Sequence, residues 1–339
     1  MKALVVTEHG PPDVMSVQER PDPEPGAGEL RIRVRAAGIN FADLLARVGL
    51  YPDAPKPPSV LGFEVAGDVD ALGEGVDSFE VGQRVMAPCR FGGYAQLAVA
   101  RAETVLPLPD GWSYSEGAST PVTYATAYAG LVHFGGLRAG ERVLIHAAAG
   151  GVGIAATQIA KLVGAEVYGT ASPPKHDAVR GFGVDHPVDY RTHDVVDEVR
   201  RISGEEHPID LAFDALGGRS FRQSFALLRA GGRLVCFGAS EVQAGERRSP
   251  FRALRVLAQM PRFNPLKLMR ESKSVIGLNM LTLWDERESL DELIEPLRDW
   301  VDQGRLRPVV AQEFRLDDGA AAHRYMHERH NVGKVVLTL

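Results

Sequence analysis

The stretch Arg142–Val163, RVLIHAAAGGVGIAATQIAKLV, decides how this chain folds. Its opening, Arg142 to Ala147 (RVLIHA), is an apolar run of strand length, and Val152 to Val163 carries apolar residues at helical spacing. Between them lies AAAGGVG, Ala147 to Gly153, which reads as Ala148-x-Gly150-x-x-Gly153. A strand, a glycine turn and a helix in that order form the dinucleotide fingerprint, here with alanine in place of the first glycine. Gly150 lets the backbone approach a pyrophosphate, and Gly153 permits close packing of helix on sheet. The helix start at Gly151, Val152 and Gly153 offers N–H groups and a positive dipole end to phosphate oxygens. A tight structural turn is the plainer alternative, and the flanking strand and helix favour the cofactor.

Working outward, Glu166–Ala171, His186–Tyr190, Ile209–Leu216, Arg233–Gly238 and Ser274–Met280 read as further buried strands alternating with helices. Such alternation predicts an α/β fold with a parallel sheet covered on both faces. The first 120 residues differ: short strands such as Leu30–Val34, Glu64–Val69 and Arg84–Ala87 are separated by Gly- and Pro-rich turns. That pattern predicts a small β-barrel or sandwich. The tail offers helices near 291–303 and 319–329 and a last strand, Lys334–Leu339. The expected organisation is one domain from residues 1–123 and 281–339, with a dinucleotide-binding domain, 124–280, inserted into it.

The end of the second strand bears on the cofactor. An acidic residue about 20 positions beyond the glycine turn usually holds the ribose 2′-OH of NAD. Here the segment is Gly169-Thr-Ala-Ser-Pro-Pro-Lys-His176, without an acid. Ser172 and Lys175 suit a 2′-phosphate, one by a hydroxyl and one by a point charge. NADPH is therefore the expected cofactor, an ordinary solvated loop being the alternative.

With 45% hydrophobic and 24% charged residues, the 339-residue chain has the composition of a folded protein rather than a disordered one. A net charge of -6 gives no reason to expect nucleic-acid binding. Two cysteines, Cys89 and Cys236, exclude a disulfide framework and a four-thiolate zinc site. Neither a signal-peptide pattern nor an apolar run of about 18–20 residues is present, so a cytoplasmic location is expected.

Several segments together resemble the medium-chain dehydrogenase/reductase superfamily, specifically its zinc-free quinone oxidoreductase branch. They are Gly38–Asp43 (GINFAD), Gly49–Tyr51, Gly92–Ala95 (GGYA), Thr123–Tyr128 (TYATAY), Ala147–Gly153, Asp214–Gly218 (DALGG) and Asn331–Val335 (NVGKV). NFADLLARVGLY from Asn40, GTASPPKH from Gly169 and NVGKVVL from Asn331 resemble segments of its VAT-1 homolog group. The resemblance implies a GroES-like β-barrel catalytic domain, a Rossmann domain, and a homodimer built near Val275–Met280. Zinc-dependent members carry an early Cys and a Gly-His-Glu segment, where this chain has Asn40 and Gly62-Phe63-Glu64, so no catalytic zinc is expected.

The resemblance also implies that Thr126, Gly238 and Asn331 line the nicotinamide side and that Tyr190 lies near the adenosine phosphate. Asn40, Asp43 and Tyr51 match the metal-free active-site segment. Asn40 would both border the cofactor and donate a hydrogen bond to the acceptor carbonyl. Tyr51 would donate a proton or polarise that carbonyl, and Asp43 would position its neighbours. Simpler roles exist: Asn40 and Asp43 as caps of a helix starting near Phe41, and Tyr51 as a packing residue. The implied activity is NADPH-dependent hydride transfer to a quinone or to the activated C=C bond of an α,β-unsaturated carbonyl. An enoyl-thioester reductase, and a lipid-binding or interaction protein that keeps NADPH as a structural ligand, are the alternatives.

Two features stand apart. His323, His327 and His330 share a helical spacing that could serve a metal, although a polar helix face explains them as well. Residues 246–273 mix basic side chains (Arg247, Arg248, Arg252, Arg255, Arg262, Lys267, Arg270, Lys273) with Phe251, Leu254, Leu257, Met260 and Phe263. A flap or dimer contact is the expected role, and weak contact with a membrane or lipid is the alternative.

Overall fold

The computed structural model describes every residue except Ala244, Arg247, Arg248, Glu288 and Ser289, and leaves aside the side chains of Pro250 and Asp291. The two arginines of the basic segment at 247 and 248 thus lie outside the described residues. Two compact units emerge: Met1–Ala125 with Gly245–Arg248 and Trp284–Leu339, and Thr126–Ala244 with Ser249–Leu283. Gly245 and Glu246, expected in the second domain, go with the first unit. Glu246 explains this, because its carbonyl accepts from Arg47 at 3.3 Å and its carboxylate lies 3.6 Å from Arg324.

The first unit is built on antiparallel pairing. Its seven-stranded sheet runs Val310–Arg315, Lys334–Thr338, Glu29–Ile39, Glu64–Leu72, Arg84–Pro88 and Leu106–Pro107, with Leu97–Arg101 also paired to Glu29–Ile39. The first two of these strands are parallel to each other. Strand Glu29–Ile39 shows why the sequence chooses this arrangement. Leu30, Ile32 and Val34 alternate with Arg31, Arg33 and Arg35, so one face enters the core and the other meets charge. Arg31 and Arg33 share Asp70, and Arg35 takes Asp68, both on the neighbouring strand. Three further strands, Met15–Glu19, Lys2–Val6 and Ser59–Val60, form a small second sheet.

The second unit holds six parallel strands in the order His186–Asp189, Glu166–Ala171, Arg142–Ile145, Ile209–Asp214, Leu228–Cys236, Ser274–Gly277. Val143, Leu144 and Ile145 are wholly buried, as the continuous apolar run requires of a strand covered on both faces. Helix Gly151–Val163 buries Ile154, Ala155, Ile159 and Ala160, and stops at Gly164, whose φ of 91° supplies the left-handed cap. The last strand is shorter than Ser274–Met280: it ends at Gly277, and helix Met280–Glu286 begins instead.

Candidate active site

Ala147–Gly153 leaves strand Arg142–Ile145 at its C-terminal end and turns into helix Gly151–Val163. A Cβ at Gly153 would stand 2.3 Å from the Ala147 carbonyl oxygen and 2.7 Å from the Ala148 Cα, so only glycine allows this approach. A Cβ at Gly150 would meet only the Ala147 oxygen, at 3.4 Å, and otherwise open space. The first-turn N–H groups at Gly151, Val152 and Gly153 have no intrahelical acceptor. An open glycine surface beside a helix start therefore suits a pyrophosphate group.

Four other nucleotide candidates of this unit, Ser172, Lys175, Tyr190 and Gly238, sit at the same, C-terminal edge of the parallel sheet. Ser172 follows strand Glu166–Ala171 and is buried, and Lys175 closes the short turn Pro173–Lys175. Tyr190 follows His186–Asp189 and is partly exposed. Gly238 follows Leu228–Cys236, and a Cβ there would lie 2.9 Å from the Ala215 oxygen. Thr126 is buried on helix Pro121–Tyr128.

The edge is held by a network that sequence reasoning noticed only as part of DALGG. Buried Asp214 accepts from the Leu216 N–H (2.8 Å) and from the hydroxyls of Ser220 (2.6 Å) and Ser224 (2.8 Å). His146 Nε2 lies 2.8 Å from the Ser224 hydroxyl, tying the end of strand Arg142–Ile145 to helix Arg219–Leu227.

In the first unit, Asn40 stands at the head of helix Phe41–Arg47, and its side chain is gripped from two sides. The amide Nδ2 donates to Glu64 Oε1 at 2.9 Å, and Oδ1 accepts from Lys334 Nζ at 2.6 Å. Lys334 also pairs with Glu64 at 2.6 Å, and the other Glu64 oxygen accepts from the Val122 N–H at 2.9 Å. Pairing of Lys334–Thr338 with Glu29–Ile39, register Val335 opposite Ile39, brings Lys334 to this place. With the Glu64 carboxylate occupied by an ammonium, this cluster does not fit a divalent metal. Among the described residues no group of three or more His, Cys, Asp or Glu is placed to hold one.

Asp43, wholly buried, accepts from the N–H groups of Asn40 (2.8 Å) and Gly62 (2.9 Å). It thereby ties the helix start to the loop carrying Phe63 and Glu64. Burial pushes its carboxyl up to about 6 against these stabilising bonds. Tyr51 is half-buried, edge-on to Phe63 with ring centroids 5.9 Å apart, and burial pushes its phenol up to about 12. Asn331 precedes Lys334 by three residues and donates to the Gly333 carbonyl at 2.9 Å.

The histidine spacing has a different explanation from metal binding or a solvated face. His323 Nδ1 and His327 Nε2 lie 3.0 and 2.9 Å from the guanidinium of Arg47, which is itself wholly buried. An arginine only donates, so both imidazole nitrogens are acceptors and both rings are neutral here. Burial and Arg47 hold His323 well below its ordinary range and His327 at about 4. His330 lies beyond helix Gly319–His327, exposed, 3.3 Å from Glu328. Of the cysteines, Cys89 is buried and Cys236 partly so; burial raises both thiols, Cys236 to about 12, which keeps them protonated.

A family model for the alcohol dehydrogenase GroES-like domain matches residues 26–110, and one for zinc-binding dehydrogenase matches residues 182–337. The chain belongs to the medium-chain dehydrogenase/reductase superfamily. It is 39% identical over 339 residues to the synaptic vesicle membrane protein VAT-1 homolog of Danio rerio, covering 99% of this chain and 70% of that protein. Among solved structures it resembles the CurK enoyl reductase (TM-score 0.86, 31% identity, 99% of this chain and 98% of that one). It also resembles the Escherichia coli quinone oxidoreductase complexed with NADPH (TM-score 0.85, 28% identity, 100% of both chains). The chain is thus an oxidoreductase of this superfamily, related to quinone oxidoreductases, enoyl reductases and VAT-1 proteins.

Proposed function

We propose that this protein is a zinc-independent, NADPH-dependent reductase of a quinone or of the activated C=C bond of an α,β-unsaturated carbonyl. The observation that carries the reading is the glycine turn, closed at Gly153 and open at Gly150, at the head of a 13-residue helix. NADPH, the ligand of the related E. coli enzyme, supplies the hydride. Gly150–Gly153 hold its pyrophosphate, Ser172 and Lys175 its 2′-phosphate, and Tyr190 borders the adenosine end. Thr126, Gly238, Asn331 and Asn40 border the nicotinamide.

The acceptor is served by the 40–51 segment. Asn40 spends one amide N–H on Glu64 and keeps the second for a carbonyl oxygen gaining negative charge. Because Lys334 and Glu64 hold both ends of the amide, that donor is preorganised. Tyr51 keeps its proton at neutral pH and is the hydrogen-bond or proton donor to the acceptor. Asp43 is a positioning residue, since both its oxygens face backbone N–H groups.

Resemblance to the CurK enoyl reductase supports enoyl thioesters as a second acceptor class. We further propose homodimer formation along edge strand Ser274–Gly277, with the catalytic and cofactor domains bounded as the two units are. Weak lipid contact through 246–273 is the remaining reading, motivated by the exposure of Phe251, Leu254, Leu266 and Met269. NADPH oxidation followed against quinones, enones and enoyl thioesters, with NADH in parallel, tests the function. Selective NADPH turnover is expected. Tight NADPH binding without turnover of any acceptor would replace the enzyme with a lipid-binding or interaction protein.

A further inference from the structure

The second unit has a cavity at the edge of its sheet away from the glycine turn. Because the six strands are parallel, Ala147, Ser172 and Gly238 follow their strands at one edge. His207, Ala226 and Lys273 precede Ile209–Asp214, Leu228–Cys236 and Ser274–Gly277 at the opposite one. There a cavity of about 490 Å³ is lined by those three residues and by residues from the segment 261–273.

Its charge is at odds with a chain whose net charge is -6. Five cations line it, Arg200, Arg222, Arg262, Lys267 and Lys273, against one carboxylate, Glu271. Arg200 is satisfied elsewhere, 2.5 Å from Glu206. Glu271 is divided between Lys273 at 3.5 Å and Lys267 at 3.8 Å, with Arg270 also 3.8 Å away. The Lys273 side chain is only 9% exposed, and its ammonium lies 4.8 Å from the centre of the Phe225 ring. Among the described residues, neither Arg222 nor Arg262 has a carboxylate partner, and Arg222 reaches only the Ala258 carbonyl, at 3.5 Å.

Like charges gathered around a concave surface repel one another, and an anion in their midst reverses the sign of that interaction. Two guanidinium forks and two ammonium groups offer more donors than a single carboxylate can accept, whereas a phosphate group can use them. Phe225 and Phe263, with ring centroids 5.3 Å apart, give the same cavity an apolar wall. We propose that this cavity is a second anion site, separate from the cofactor turn, that takes the phosphate or pyrophosphate group of an organic ester. Part of the basic and apolar segment following helix Pro250–Gln259 is then one wall of a binding site.

Calorimetric titration of the full chain with inorganic pyrophosphate, and separately with glycerol 3-phosphate, tests this. The double variant Arg222→Gln/Arg262→Gln is expected to bind the better titrant at least about tenfold more weakly, with an unchanged urea midpoint. Lys267→Gln provides a milder second variant should the pair not fold. Saturating NADPH, which occupies the cofactor turn at the other edge of the sheet, is expected to leave the affinity as it was. Preference for pyrophosphate supports a free polyphosphate ester, and preference for glycerol 3-phosphate supports a headgroup-like monoester. Absence of binding by both at physiological ionic strength overturns the proposal. So does binding that saturating NADPH abolishes and the arginine and lysine variants leave intact.

Discussion

Replacing Lys334 by methionine should destabilise the first unit by about 3–5 kcal/mol, the usual cost of removing one partner of a buried ion pair. The side chains of Lys334 and Glu64 are 4% and 0% exposed, with N and O 2.6 Å apart. At an effective dielectric constant of about 20, charges that close attract by roughly 6 kcal/mol, which sets an upper scale for the loss. Asn40 Nδ2 and the Val122 N–H would still bond to the Glu64 carboxylate, but neither neutralises it. All three tryptophans, Trp112, Trp284 and Trp300, lie in the first unit, so intrinsic fluorescence follows its unfolding selectively. With a urea slope of about 2 kcal/mol/M the midpoint should fall by roughly 2 M. Adding Glu64→Gln to Lys334→Met should restore much of the loss, because the uncompensated charge goes with it. A single-variant loss below about 1 kcal/mol, or a double variant no better than the single, would show that the pair does not hold this cluster.

Four other outcomes separate the roles assigned above. Gly153→Ala places a Cβ 2.3 Å from the Ala147 oxygen and should impair both stability and NADPH binding, read by nucleotide fluorescence. Gly150→Ala meets nothing closer than 3.4 Å and should leave the urea midpoint nearly unchanged while weakening NADPH; unaltered affinity would remove the pyrophosphate from this turn. Tyr51→Phe should lower turnover by about 10²-fold or more if the phenol donates a proton, and an unchanged rate would return Tyr51 to a packing role. The His327 imidazole stays neutral in the folded chain down to about 4, while an unfolded histidine takes up a proton below about 6.5. Its contribution is therefore present above 6.5 and lost as pH falls towards 4. Asp43 acts with the opposite sign: its carboxyl holds a proton up to about 6 when folded, so its stabilisation fades as pH rises from 3.8 to 6. His327→Gln should flatten the acid-side loss of stability, measured as urea midpoints from pH 7 to 4; an unchanged slope would contradict the neutral ring.

Much of the Rossmann unit was legible because its determinants are local. A strand, a glycine turn and a helix occupy 22 consecutive residues, and the clash that reserves position 153 for glycine comes from Ala147, six residues earlier. Alternation in LRIRVR likewise announces a half-buried strand without knowledge of its partners. The strand ending at Gly277 reads three residues too long in the sequence, where the apolar run SVIGL masks the one helix signal, Asn279, whose Oδ1 accepts from the Leu281 N–H at 3.0 Å.

What the sequence could not show are the groups brought together by closure of the first unit. Asn40, Glu64 and Lys334 are carried by three antiparallel strands or their ends, and 294 residues separate the first from the last. The i, i+4 spacing of His323 and His327 was visible, but Arg47, 276 residues from His323, makes them hydrogen-bond acceptors rather than metal ligands. Local sequence sets backbone conformation through sterics and side-chain period. The protonation and partners of a buried polar group depend on which distant strands exclude water from it, and tertiary structure alone decides that.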